Sequence, residues 1–306
     1  MPERHWPQTR TRALRTIAGL HRSELVHVHF GYVTGDVVSF VERARLPLVL
    51  SLHGDDATAL PLRQPGHYDA VRDAVDAVIV PSQFLATAAR SLGFAPERVH
   101  VIPVGVDTTF FTPTPLPSHP VVTFVGRLVE KKGVDVLLQA WPEVVGKVPG
   151  ARLDVLGAGP LADVLLTGDE PSVRHVPPQP NRRGEQVRDL IRGSRVVVSP
   201  SRTAASGDAE SLLLVNLEAQ ASGRPVVTTR HGGIPEFVAP DESALVVPEN
   251  DAAALADALV ELLTQDRLAE RLGAAGARVA ARFDVRRCVE QVDGLYDALL
   301  TERRGQ

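Results

Sequence analysis

The chain alternates short apolar segments with helical stretches along most of its length, and this alternation most constrains its fold. Four apolar segments lie near residues 24–30, 47–52, 76–80 and 99–103, and six more lie near 121–125, 152–156, 173–176, 195–199, 225–229 and 244–247. Short strands separated by helices form parallel sheets with helices on both faces. The sequence therefore predicts an α/β protein with two Rossmann-like, doubly wound domains.

A proline-rich segment separates the two sets of strands. Its four prolines, between residues 113 and 120, support no regular element and predict a stiff connector. The predicted domains are then residues 1–112 and 121–285, with a final helix at 286–306 that packs back toward the first domain. A doubly wound domain should open with a central strand and a glycine-rich turn. Neither precedes residue 24, so we expect a first domain shortened at its start.

Composition indicates a soluble, cytoplasmic protein. The net charge is -4, which argues against nucleic acid as a partner. No apolar run approaches the roughly 18 residues of a membrane helix, and the start lacks the apolar core of a signal peptide. Cys288 is the only cysteine, which excludes an intramolecular disulfide and a thiolate metal cluster. Because no histidines and carboxylates stand at metal-ligand spacing, we expect neither a metal nor a cofactor.

The first 22 residues are strongly basic, with five arginines against one acid. One interpretation, which the short apolar turn favours, is a solvated helix packed on the sheet. The other is a basic helix on an anionic membrane surface, which would make the protein peripheral to the inner face of the membrane. The apolar strand at residues 25–30 would form a bare sheet edge. Such an edge is expected to drive self-association unless a longer native start covers it.

Two stretches carry the candidate chemistry of the second domain. Glu210 and Glu218 are eight residues apart with an apolar run between them, so on one helix both carboxylates would project from the same face. Gly126, Arg127 and Lys132 follow a strand, where glycine admits close backbone approach and the two cations suit a diphosphate. The alternative for this second stretch is a solvated basic loop in which Glu130 pairs with Lys131.

Two weaker signals follow other strands. His53 ends its strand, where a side chain can reach into a ligand cleft, although a histidine in this position is more often structural. The sequence from Arg230 to Glu236 contains two adjacent glycines and predicts a turn with unusual dihedral angles. Glu236 either caps a short helix or touches a ligand.

Taken together, these motifs resemble the retaining family 4 glycosyltransferases of the GT-B fold. The resemblance is carried in order by Gly126-Arg127 with Lys132-Gly133, by Glu210 with Glu218-Ala219, by Gly223-Arg-Pro-Val-Val227 and by Gly232-Gly-Ile-Pro-Glu236. In the first domain, His27-Val-His29-Phe-Gly31 and His53-Gly54 are similar to motifs of bacterial members that build exopolysaccharides. The match extends across residues 24 to 300.

The resemblance implies a role for each matching residue. Arg127 and Lys132, beside Gly126, would hold the diphosphate of the donor, Glu218 the ribose, and Glu210 the hydroxyls of the donor sugar. His53 would contact the donor sugar and orient the acceptor. The backbone facing phosphate would comprise Ser211, Leu212, Leu213 and Leu214. The sequence departs from the family at Ser211 and Leu213, which stand where glycine and often proline are usual.

The activity implied is that of a retaining, metal-independent hexosyltransferase. It would move a hexose from a UDP- or GDP-sugar to a polysaccharide or glycolipid acceptor. Two alternatives stay open at this point. One is a shortened relative that holds the nucleotide sugar through its second domain with little or no transfer, and the other is a sugar-nucleotide epimerase of the same fold.

Overall fold

The computed structural model describes residues 22–163 and 170–304, which form two units, each built on a parallel sheet. Of the described residues, those before Val104 and those after Cys288 belong to the first unit, and those from Val104 to Cys288 form the second. The expected connector at residues 113–120 lies in the second unit. The basic segment at the start of the chain, apart from Arg22, lies outside the described residues.

The first unit contains a four-stranded sheet in the order β1-β2-β3-β4. Its strands are Val26–His29 (β1), Leu48–Ser51 (β2), Ala77–Val80 (β3) and Val99–Val101 (β4). The helices between them are Thr34–Ala44 (α1), Ala59–Arg63 (α2) and Gln83–Ser91 (α3). Every residue of β2 and β3 is buried. This is the pattern of central parallel strands covered on both faces.

The second unit contains a six-stranded parallel sheet in the order β10-β9-β8-β5-β6-β7. Its strands are Val121–Val125 (β5), Arg152–Leu156 (β6), Val173–Val176 (β7), Val196–Ser199 (β8), Val226–Thr229 (β9) and Ala244–Val247 (β10). Its helices are Val134–Lys147 (α4), Arg183–Gly193 (α5), Leu214–Ala221 (α6), Ala252–Thr264 (α7) and Asp266–Ala280 (α8). The last helix, Val285–Arg304 (α9), begins in this unit, and its residues after Cys288 belong to the first. The α/β class and both sets of strands are therefore confirmed.

The strand order of the second sheet indicates where along its carboxyl edge a ligand would bind. β5 lies between β6, which follows it in the chain, and β8, which is reached only after β7. The direction of winding reverses between β5 and β8, and open α/β sheets bind ligands outside the carboxyl ends of strands at such a point. A ligand site is therefore expected at the loops that follow β5 and β8.

A fully buried arginine anchors the proline-rich segment to the second unit. The side chain of Arg224 donates hydrogen bonds to five backbone carbonyls and to one hydroxyl. The acceptors are the carbonyl oxygens of Thr114, Pro115, Ile191, Arg192 and Ser222 and the hydroxyl of Thr114. Burial, assisted by the charge of Arg192, lowers the pKa of Arg224 to about 10. The carbonyl dipoles compensate a charge that would otherwise be costly to bury.

No helix within the described ranges combines the length and the apolar character needed to cross a bilayer.

Candidate functional site

The loops after β5 and β8 are locked together at the switch point. Arg202 donates its backbone N–H to the carbonyl of Lys131 over 2.9 Å, and its guanidinium lies 2.7 Å from Asp135. Gly133 has a φ of 65°, and a Cβ added there would lie 1.9 Å from the carbonyl oxygen of Pro200. Only glycine fits such a close approach in the left-handed region. The two loops therefore hold a fixed spacing.

Two lysines, the buried Lys131 and the half-buried Lys132, project from the first loop toward two carboxylates of the second. Lys131 Nζ lies 2.9 Å from Asp208 Oδ1, and Lys132 Nζ lies 2.7 Å from Glu210 Oε1. The side chains of Lys131 and Glu210 are only 7% and 9% exposed. Burial lowers the pKa of Lys132, and the charges of Lys131 and Arg127 lower it further, against the opposing effect of Glu210. We call these four paired side chains the lysine–carboxylate cluster.

The interpretation of this loop as a solvated basic segment is wrong. Lys131 is buried and pairs with Asp208. Glu130 instead accepts a hydrogen bond from the backbone N–H of Ala205 over 3.1 Å, which adds another link between the two loops. Arg127, one residue past Gly126, is exposed. The loop thus presents one cation to solvent and keeps two inside the cluster.

The glycine pair after β9 clamps the backbone of Glu210. The N–H of Glu210 donates to Nε2 of His231 over 3.0 Å, and its carbonyl accepts from the N–H of Gly233 over 3.0 Å. Gly232 has a φ of 51°, and a Cβ there would lie 2.1 Å from the carbonyl oxygen of Glu210. His231 Nδ1 lies 2.8 Å from Glu249, so the Nδ1–H donates while Nε2 accepts. The carboxylate of Glu210 therefore projects from a backbone fixed on both sides.

The prediction that Glu210 and Glu218 share one face of a helix is wrong. The helix α6 begins at Leu214, and Glu210 lies in irregular backbone before it. The cause is the clamp, because the N–H and carbonyl of Glu210 are already bonded to His231 and Gly233 and cannot join a helical ladder. Glu218 is the fifth residue of α6 and is half-buried.

The amino end of α6 is available to an anion. Its N-cap residue is Leu213, and no side-chain hydrogen bond caps the first turn. Uncapped amide groups and the helix dipole together favour negative charge at this end. Among the residues expected to face phosphate, Ser211 and Leu213 are buried, Leu212 is half-buried and Leu214 is exposed. The side chain of Asn216, bonded to Ser199 over 2.6 Å, ties the helix to β8.

A cavity of about 360 Å³ lies beside the first loop. Val125, Gly126 and Arg127 line one side, and the residues after β6 together with residues between 178 and 187 line the rest. The ends of β5 and β6 come very close here, since a Cβ on Gly157 would lie 2.0 Å from the carbonyl oxygen of Gly126. The cavity thus opens next to the exposed cation.

His53 belongs to the first unit, where it joins a cluster of rings. His53 Nε2 lies 3.2 Å from His29 Nδ1, and its ring centroid lies 4.4 Å from that of Phe30. Its backbone N–H donates to Asp56 over 2.9 Å. Burial lowers the pKa of His53, with Asp56 acting to raise it and His29 to lower it. The imidazole is therefore mainly neutral at pH 7.

No cluster of three or more His, Cys, Asp or Glu side chains in the described part of the chain is arranged to hold a metal ion.

Sequence reasoning missed several residues of the second-unit site. Lys131, Asp208, His231 and Glu249 were not candidates, although they hold Glu210 or complete its cluster. The one sequence signal for these residues was the pair of adjacent glycines after β9. It indicated a tight turn but did not indicate that the turn contacts the backbone of Glu210.

Comparison with known proteins gives two family matches. Residues 119–265 match the family described as "Glycosyl transferases group 1", and residues 1–110 match "Glycosyltransferase Family 4". The chain is 30% identical to the putative colanic acid biosynthesis glycosyltransferase WcaL of Escherichia coli, over 97% of this chain and 77% of that protein. It is 33% identical to a GDP-mannose-dependent alpha-(1-6)-phosphatidylinositol monomannoside mannosyltransferase of Mycolicibacterium smegmatis, over 75% of this chain and 64% of that protein.

Solved structures show the same fold. Anabaena Alr3699/HepE in complex with UDP-glucose has a TM-score of 0.80 at 19% identity, covering 96% of this chain and 84% of that one. Sucrose-phosphate synthase from Thermosynechococcus elongatus has a TM-score of 0.79 at 22% identity, covering 99% of this chain and 82% of that one.

Proposed function

Because the chain belongs to the family 4 glycosyltransferases of the GT-B fold, which move a sugar from a nucleotide sugar, we propose that it is a retaining, metal-independent hexosyltransferase. Its donor is a UDP- or GDP-hexose and its acceptor a polysaccharide or a glycolipid. The observation that carries this proposal is the lysine–carboxylate cluster at the switch point of the second sheet.

Cations on the loop after β5 suit the leaving diphosphate. Lys132 and Arg127 flank the loop after β5, and the uncapped amino end of α6 follows Glu210 in the chain. Breaking the sugar–phosphate bond builds negative charge on the diphosphate. Fixed cations and amides stabilise that charge more in the transition state than in the ground state. These groups supply the charge compensation that a metal ion provides in other transferases, and Gly126 lets the backbone approach the phosphates.

The two glutamates have separate roles in this proposal. Glu210 accepts hydrogen bonds from the hydroxyls of the donor sugar, and an incoming phosphate oxygen shares Lys132 with it. Glu218 binds the ribose. The cavity beside Gly126 has room for the base. In the first unit, His53 contacts the donor sugar and orients the acceptor, and its neutral imidazole can accept a hydrogen bond.

The pairing of the carboxylates argues against a covalent glycosyl–enzyme intermediate in the proposed retaining reaction. Asp208 and Glu210 are both ion-paired with lysines, which makes either one a poor covalent nucleophile. We therefore favour departure of the diphosphate and attack by the acceptor on the same face of the sugar. The WcaL relative supports an exopolysaccharide acceptor, and the mannosyltransferase supports a glycolipid one. Both acceptors fit a cytoplasmic protein that works at the inner face of the membrane.

A donor screen followed by product analysis tests the proposal. Thermal shift against UDP-, GDP- and ADP-hexoses should identify one base whose sugars stabilise the fold by mass action. NMR of the product formed from that donor should show the anomeric configuration of the donor, with EDTA leaving the rate unchanged. An inverted product would refute retention, and loss of the rate in EDTA would refute metal independence. Conversion of the donor without any acceptor would favour the epimerase, and binding without transfer would favour the inactive relative.

A further inference from the structure

Two aromatic side chains stand exposed at the carboxyl end of β1 in the first unit. Phe30 is 49% exposed and Tyr32 is 45% exposed. Their ring centroids are 6.4 Å apart, and their planes differ by 25°. The ring of Phe30 also lies against His53, which is the acceptor-orienting residue of the proposed function. The pair is therefore an exposed aromatic surface of two near-parallel rings beside a candidate catalytic side chain.

The backbone holds Phe30 in an unfavourable conformation that turns its ring outward. Its φ is 70° and its ψ is 132°, a region that side chains other than glycine rarely adopt. The N–H of Phe30 donates to the carbonyl of Ser51, and the N–H of Gly31 donates to the buried carboxylate of Asp56. A Cβ on Gly31 would collide with the hydroxyl of Tyr68. The strained backbone of Phe30 and the exposure of its apolar ring both cost free energy, since burying the ring would be stabilising. A conformation that carries both costs indicates a functional surface.

Tyr32 is fixed from its polar end. Its hydroxyl donates to Asp55, and the same carboxylate holds the guanidinium of Arg63 through two hydrogen bonds of 3.0 Å and 2.9 Å. The ring therefore cannot swing freely, and hydrogen-bonding groups rim the apolar surface. His29, whose Nδ1 lies 3.2 Å from His53, adds another polar group nearby.

We propose that Phe30 and Tyr32 form a stacking platform for a pyranose ring of the acceptor. A pyranose has an apolar face of C–H groups and a periphery of hydroxyls, which matches two near-parallel rings with a carboxylate, a guanidinium and an imidazole around them. A bilayer surface would instead favour a larger apolar area without a carboxylate at its rim. This inference rests on the proposed function and names the acceptor's chemical class as a carbohydrate.

Saturation-transfer NMR with simple glycosides tests the platform directly. The probes are methyl α-D-mannopyranoside, methyl β-D-glucopyranoside and methyl β-D-galactopyranoside, added to the wild-type protein and to three variants. Phe30→Gly removes the ring and also relieves the strained backbone. We expect at least one glycoside to bind the wild type and to bind Phe30→Gly about tenfold more weakly, with an unchanged or higher Tm. Phe30→Tyr should keep the affinity, and Leu62→Ala, which removes another exposed apolar side chain, should not change it.

Three outcomes would overturn the platform. The first is that no glycoside binds the wild type, and the second is that Phe30→Gly binds as tightly as the wild type. The third is that Phe30→Gly loses binding to vesicles of phosphatidylcholine and phosphatidylglycerol while its glycoside binding is unchanged, which would assign the surface to a membrane. Calorimetry with UDP-glucose and GDP-mannose distinguishes failure of the platform from failure of the proposed transferase function. A wild type that binds glycosides through Phe30 but binds neither donor would refute the transferase and leave the platform in place.

Discussion

The carboxyl edges of the two parallel sheets are built from opposite kinds of chemistry. In the second unit, loops locked by backbone contacts present the buried Lys131 and the half-buried Lys132 to two carboxylates. In the first unit, the strand ends present rings, with Phe30 and Tyr32 exposed and three histidines beside them. Similar strand architecture thus supports a site that compensates charge and a surface that offers apolar faces. The difference shows that the loops after the strands, and not the sheet, select the ligand.

Two buried carboxylates, one at each sheet edge, illustrate the same contrast. Asp56 accepts hydrogen bonds from the backbone N–H groups of Gly31, His53 and Gly54. Its carboxylate therefore stabilises the conformation of the loop. Glu210 faces lysine side chains, and its own backbone is held by others. A buried acid therefore marks a candidate site only when its partners are side chains that a ligand can share.

The largest effect is expected from removing the charge of Glu210. Glu210→Gln keeps the size of the side chain but weakens the hydrogen bonds to the transferring sugar, so kcat should fall about a hundredfold. Donor affinity measured by calorimetry should change little, because Lys132 becomes more available to phosphate. Asp56→Asn should instead lower Tm, since its partners are backbone groups that shape the loop.

Glu218→Gln is the matched control within the second unit. If Glu218 binds the ribose, the donor Kd should rise about tenfold with a smaller change in kcat. Equal effects of the two glutamine variants on Kd and on kcat would contradict the division of roles between the glutamates.

The next effect concerns the clamp on Glu210. Gly232→Ala places a Cβ against the carbonyl of Glu210 at a positive φ, so it should destabilise the fold by about 2–4 kcal/mol in urea unfolding. Gly146→Ala is the control, because Gly146 lies inside α4 and nothing stands within 4 Å of its added Cβ. That variant should stabilise by about 0.5–1 kcal/mol. A Gly232→Ala variant as stable as the wild type would show that the backbone around Glu210 can shift to accommodate the added Cβ at little cost in free energy.

A smaller effect should appear in the pH dependence of donor binding. The pKa of Lys132 is lowered from its ordinary value of 10.5, chiefly by burial. Only the protonated lysine attracts a diphosphate, so affinity should fall as pH rises, beginning below 10.5. Calorimetry across alkaline pH should show this decline, and Lys132→Arg should move it to higher pH, since a guanidinium keeps its proton. A decline at the same pH in both proteins would assign it to another group.

The smallest effect belongs to the ring cluster of the first unit. His29 contributes to the lowered pKa of His53, although burial is the larger cause. His29→Asn removes that contribution, so the pKa of His53 should rise and the acid limb of the rate profile should move toward neutral pH. NMR titration of the His53 ring would measure the shift. An acid limb that stays in place would mean that the neutral state of His53 does not control the rate.

Most of the fold could be predicted from the sequence because its strands are short, apolar and separated by helices. All ten described strands lie within the predicted segments. The loop from Gly126 to Lys132 was also found, since its cations directly follow a strand. The setting of Glu210 was not, because it depends on His231, 21 residues away, and on Lys132 in a different loop. Helical spacing describes neighbours in sequence, whereas this carboxylate is placed by distant backbone.

The buried Arg224 has a consequence for how the chain can vary. Its guanidinium bonds mainly to carbonyl oxygens, which every residue carries, and it relies on one hydroxyl, that of Thr114. The proline-rich segment is therefore recognised by the course of its backbone rather than by its side chains. Substitutions along that segment can alter its surface freely as long as Thr114 and Pro115 keep their carbonyls turned inward. Arg224 itself has no substitute, because no other side chain offers five donors in one plane.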